Sequence, residues 1–141
     1  MREAYRPTFK VYSAVYVTVL AVMLLLDVLW LGVIAADWYA EGIGHLMADV
    51  PYLPAAVVFY LLYPLGIVIF GVRPNEPMTT LQAMRWGALF GFFAYATYDL
   101  TNLATLSDWP TSISLLDLGW GTLLSATAAL AGRLMCNRLM K

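Results

Sequence analysis

Asp27, Asp99 and Asp117 lie inside apolar runs, in the segments LLLDVLW, YDLTNLATL and LLDLGWG. A carboxylate surrounded by hydrocarbon is expensive. It normally faces a bundle interior or a water-filled cavity, where it meets a counter-charge. Each aspartate is followed three residues later by Trp30, Asn102 or Trp120, a spacing that puts both side chains on one helix face. Carboxylates with indoles and an amide are the groups that bind a cation or an amine, with aromatic faces adding cation–π attraction.

The only histidine, His45, lies in the segment DWYAEGIGHLMADVPY. Asp37, Glu41, His45 and Asp49 recur every four residues, so a helix would align them on one face. Glu41 and His45 are then candidates to hold a divalent metal, or to act as a general base and its orienting carboxylate. Gly42 and Gly44 weaken the helix, and the wet face of an interfacial helix explains the same pattern. Cys136 is the only cysteine, which leaves no intrachain disulfide and no cysteine cluster for a metal.

The elements that must position these groups follow from composition. With 62% hydrophobic and 12% charged residues and a mean hydropathy of +0.73, the 141-residue chain lies far from soluble globular proteins, about a quarter of which is charged. The expected class is all-α: an integral membrane four-helix bundle, one domain over residues 1–141, with spans at about 11–36, 53–72, 83–106 and 112–132. The run from Val11 to Ala36 is about twice the length of a signal-peptide core and reads as a retained first helix. Asp49, Pro51 and Pro54 precede the second span and RPNEP ends it. Thr79 with Gln82 forms a capping-box pattern before the third. Tyr63-Pro64 and Gly66 predict a kink, and Gly87 with Gly91 has the small-xxx-small spacing of packed helices.

All eight lysines and arginines fall on one side of this arrangement: Arg2, Arg6 and Lys10, then Arg73 and Arg85, then Arg133, Arg138 and Lys141. The positive-inside rule makes both termini and the second connection cytoplasmic. Counted from these cations at about 1.5 Å per residue, Asp27, Asp99 and Asp117 sit at about 20–25 Å, in the outer leaflet, with Tyr60 at a similar depth from the remaining span. Ser114 to Asp117 also spells a capping box, so Asp117 has a structural reading beside the site reading. Asp27 and Asp99 lie toward the C-terminal ends of their helices, where the dipole disfavours an anion. No lysine or arginine lies on the outer side. The counter-charge is therefore His45, a proton, a metal ion or a cationic ligand.

The residues Asp27-x-x-Trp30-Leu31-Gly32, Gly44-His45, Phe59-Tyr60-Leu61-Leu62-Tyr63, the run from Tyr95 to Leu106, Trp109-Pro110 and Asp117-x-x-Trp120-Gly121 together resemble a family of small bacterial predicted membrane proteins, the domain of unknown function two-one-seven-seven. The resemblance covers the whole chain and implies a multi-pass bacterial inner-membrane protein. It supplies no activity. Three functions stay open. The first is a binding or transport protein with a cavity of Asp27, Trp30, Tyr60, Asp99, Asn102, Asp117 and Trp120 for a cation, amine or small amphipathic ligand. The second is a membrane enzyme acting on a lipid or isoprenoid from the periplasmic side, with Asp27, Asp99 or His45 as acid-base groups or as ligands to a divalent metal cofactor. The third is a structural or accessory subunit. Membrane lipid and a small-molecule or cation ligand are the expected partners, self-association stays open, and no phosphate loop, zinc motif or basic nucleic-acid patch is present.

Overall fold

A computed structural model describes residues 6–141; Arg2, one of the cations counted above, lies outside them. The described chain is helical throughout, without strands. Helix α1 runs Phe9–Leu29 and continues through a π-helical segment, Trp30–Ile34, into the short α2, Ala36–Ile43, and a 3-10 turn, Gly44–Leu46. Helix α3, Leu53–Gly66, continues through a second π-helical segment, Ile67–Val72. Helices α4, Thr80–Thr105, and α5, Thr111–Leu139, complete the chain. Three helical stretches are long and apolar enough to cross a membrane: Phe9–Ile34, Leu53–Val72 and Thr111–Leu139. With 26 residues, α4 is as long, but Arg85, Asp99, Asn102 and its threonines lower its hydropathy.

Local chemistry explains the boundaries. The Thr79 side chain accepts from the Gln82 N–H at 3.2 Å and the Gln82 side chain accepts from the Thr79 N–H at 2.8 Å, the reciprocal pair expected at this helix start. Pro64 lies inside α3, and past Gly66 the chain slips to π-helical spacing, closed by the Arg73 N–H on the Val68 carbonyl at 2.9 Å. The first π-helical segment closes in the same way, with the Ala35 N–H on the Trp30 carbonyl at 2.8 Å.

Helix α5 is the centre of the packing, against α4 along its length and against α1. Small residues allow the close approach. A Cβ on Gly91 would meet the Gly121 carbonyl oxygen at 2.1 Å, and one on Gly87 would meet the Ala129 Cβ at 2.5 Å. The apolar core of Val15, Val19, Met23, Ile67, Val72, Leu124 and Ala128 fills the space between α1, α3, its π-helical extension and α5. At the end of the molecule that holds the start of α1 and the end of α5, Arg133 is 2% exposed. Its Nη1 donates to the carbonyls of Val72, Arg73 and Glu76 at 3.4, 3.3 and 3.0 Å, satisfying the backbone where the second π-helical segment stops.

Candidate functional site

The three aspartates gather at the opposite end of the molecule. All are buried: Asp27 on α1 is 4% exposed, Asp99 on α4 0% and Asp117 on α5 6%. Asp27 accepts from Trp120 Nε1 at 3.2 Å through one oxygen and from the Tyr60 hydroxyl at 3.1 Å through the other, so α1, α3 and α5 meet on one carboxyl group. Trp30 stacks on Trp120, with ring centroids 4.3 Å apart and planes within 3°, and Trp38 meets Trp30 edge-on at 6.2 Å. The Asp-x-x-Trp spacing is therefore used twice: it sets Trp30 and Trp120 against each other above Asp27.

Asp117 is held by Tyr39, a residue of α2. The Tyr39 hydroxyl donates to Asp117 Oδ1 through a short hydrogen bond and accepts from Trp30 Nε1 at 3.2 Å. Helix α2 thus folds back over the ends of α1 and α5. Burial, and then the neighbouring Asp117 carboxylate, push the Tyr39 hydroxyl well above its ordinary titration range, so it stays a neutral donor. The capping role expected for Asp117 is overturned. Helix α5 starts at Thr111 with Pro110 as its N-cap, which puts Ser114 and Asp117 beyond its first three positions. Ser114 instead accepts from Trp109 Nε1 at 3.0 Å and reaches the Asp99 backbone carbonyl at 3.5 Å.

Asp99 differs from the other two. Its carboxyl lies beside that of Asp117 and near the Ser114 side chain, yet neither of its oxygens receives an N–H or O–H in regular hydrogen-bond geometry from a described residue. None of the three aspartates forms an ion pair with a described residue. Asn102, one turn along α4 near Tyr98, is partly buried and makes none of these hydrogen bonds.

The histidine segment does not join the site. Helix α2 ends at Ile43, and His45 sits, exposed, in the 3-10 turn, so the four-residue periodicity breaks after Glu41. The glycines on both sides of Ile43 give the physical reason. Among the described residues no group of three or more His, Cys, Asp or Glu side chains is placed to hold a metal ion. Glu41 instead lines a cleft of about 410 Å³ with Trp38, Gly42, Ser112, Ile113 and Leu116, between α2 and the start of α5.

Sequence reasoning had no reason to include Tyr39. Its one signal was position, only a few residues past the end of the first apolar run, close enough to fold back at the depth of Asp117.

Long apolar helices around buried carboxylates define a helical membrane protein. Residues 12–134 match the model of the predicted membrane protein family DUF2177, and the chain belongs to that family. No curated protein and no solved structure matches the chain.

Proposed function

We propose that this protein is a four-span bundle of a bacterial inner membrane, with both termini and the turn at residues 73–79 in the cytoplasm, that binds a protonated amine at Asp99 and Asp117. Helix α4 serves as the remaining span: 26 residues reach about 39 Å at 1.5 Å per residue, enough for a hydrocarbon core of about 30 Å. Asp99 is buried within the bundle, and the exposed Thr97, Thr101 and Thr105 hydroxyls donate to carbonyls of their own helix, which suits them to a lipid-facing side. The distribution of lysine and arginine supplies the orientation.

The observation that carries the ligand reading is Asp99, fully buried with two unpartnered oxygens beside a second carboxyl group. Two adjacent carboxylates in a weakly polar interior need a cation or a proton between them. Asp27 already receives one donor on each oxygen, and Asp117 receives Tyr39. Asp99 is where donors are missing, so the favoured ligand is a cation that carries N–H groups, and the indoles and tyrosines around it suit an organic cation. The cleft between α2 and α5 is the entry route. Its walls carry Trp38 and Leu116, the chain neighbours of Tyr39 and Asp117, which puts it next to the Tyr39–Asp117 bond.

Thermal unfolding of the detergent-solubilised protein with primary amines, quaternary amines, sodium and magnesium tests this reading. A ligand at 100 times its dissociation constant raises stability by about 2.7 kcal/mol. Primary amines should do so for wild type and fail for Asp99→Asn. The same adjacent carboxyl pair also suits proton transfer in a membrane enzyme acting on a lipid. Turnover of an added lipid or isoprenoid without any amine shift would favour that second reading. No shift and no turnover would favour a scaffold.

A further inference from the structure

A second cleft has its charged mouth at the opposite end of the molecule from the aspartates. It encloses about 1030 Å³ between α4 and the π-helical extension of α3. Its walls are apolar, among them Leu65, Ile69, Phe93 and Ala94, and Phe70 stacks on Phe90 at 5.7 Å to form one side. The absence of a side chain on Gly66 lets Phe90 lie against α3, since a Cβ there would meet the ring at 2.5 Å. Along α4 the lining runs from Trp86 to Thr97, about 16 Å at 1.5 Å per residue, close to the depth of one hydrocarbon leaflet.

Only one end of this groove is charged, and it carries both signs. The Arg73 guanidinium lies 5.5 Å from the Trp86 ring centroid and donates to Glu76 Oε1 at 2.6 Å. Both groups stay about a third exposed, at 33% and 39%. Arg73 also holds a left-handed backbone, φ 48° and ψ 66°, a conformation that glycine adopts at lower cost. Its side chain is thus retained where the backbone alone would favour having none.

We infer that this groove is a binding site for one zwitterionic phospholipid, whose phosphate meets Arg73, whose primary ammonium meets Glu76 and whose acyl chain lies between α3 and α4. A lone cation would suit any anionic lipid. An arginine beside a glutamate matches a phosphate joined to an ammonium, and the three N–H donors of a primary ammonium favour it over a methylated one. The inference goes beyond the amine site and rests only on the chain lying in a membrane.

Native mass spectrometry tests it, on protein released from detergent with equimolar phosphatidylethanolamine, phosphatidylcholine and phosphatidylglycerol. Wild type should retain phosphatidylethanolamine about tenfold over the other two, the ratio expected for one charge-assisted hydrogen bond. Glu76→Gln should erase the preference over phosphatidylcholine, and Arg73→Gly should lose the lipid while keeping or raising thermal stability. Ala94→Phe fills the groove without touching a charge and should lose the lipid while leaving the amine response of Asp99 intact. Equal retention of the three lipids by wild type, or full retention by both Arg73→Gly and Ala94→Phe, would overturn the site while leaving the membrane reading standing. Recovery of the chain in the soluble fraction without detergent would overturn both.

Discussion

Replacing Asp99 by asparagine should make the empty protein more stable and the ligand-loaded protein less so. The wild-type carboxyl is 0% exposed, both its oxygens lack partners, and Asp117 lies beside it. An unsatisfied buried polar group costs about 1–3 kcal/mol. Asparagine has nearly the same shape, removes the charge, and offers an amide N–H to the Asp117 carboxylate. A net gain of about 1–2 kcal/mol follows, which for a chain of this size raises the melting temperature by roughly 2–8 °C. Wild type at saturating amine gains about 2.7 kcal/mol and the variant gains nothing, so the order of the two melting curves reverses when the amine is added. Intrinsic tryptophan fluorescence during heating reads both states. Two results refute the reasoning: a variant less stable than wild type without ligand, which makes the Asp99 carboxylate a structural group, or a variant that keeps the amine shift, which puts the ligand elsewhere.

Gly91→Ala should cost about 1–3 kcal/mol or more, because the added carbon would meet the Gly121 carbonyl oxygen at 2.1 Å; Gly119→Ala, with nothing within 4 Å, is the control in the same melt. Tyr39 has its titration raised in the folded state, so its contribution is fully present below the ordinary tyrosine value of about 10 and is lost as pH rises above it. Tyr39→Phe should lose stability at neutral pH and show a shallower alkaline decline than wild type in the same melting assay. For topology, a single cysteine at Asp108 in a Cys136→Ser background should react with a membrane-impermeant thiol reagent in intact cells, whereas one at Asn75 should react only after lysis.

The apolar runs made the helices legible from sequence, because a helix in lipid must satisfy its own backbone and announces itself by length. The Thr79–Gln82 start was legible for an equally local reason. The same pattern at Ser114 misled, since α5 begins three residues earlier at Thr111 and the hydroxyl serves Trp109 and the Asp99 carbonyl across a helix contact. Depth counting brought Asp27, Asp99, Asp117 and Tyr60 to one level, and the structure joins Tyr60 to Asp27 by a hydrogen bond, with Trp120, one turn past Asp117, on the other oxygen. Depth alone could not say which carboxylate would be left unpartnered. That depends on α2 folding back so that Tyr39 reaches Asp117 rather than Asp99, a tertiary event with no local signature. The second π-helical segment was invisible for the same reason, since it packs against α4 and α5, and the first has no local signature either.

The first of those segments sets how the site responds to a change in residue count. Asp27 lies before Trp30–Ile34 and Tyr39 after it, so the helical winding between the two carries one surplus residue. Deleting Gly32, which has open space around it, would remove the surplus residue and leave α2 facing as before, whereas deleting a second residue from the regular winding would turn α2 by about 100° about the α1 axis. Tyr39 would leave Asp117 while Trp120 and Tyr60 stayed on Asp27. The π-helical turn therefore buffers the loss of one residue, and only a further insertion or deletion between Asp27 and Tyr39 switches the partner of Asp117 while the core of α1 and α5 stays packed.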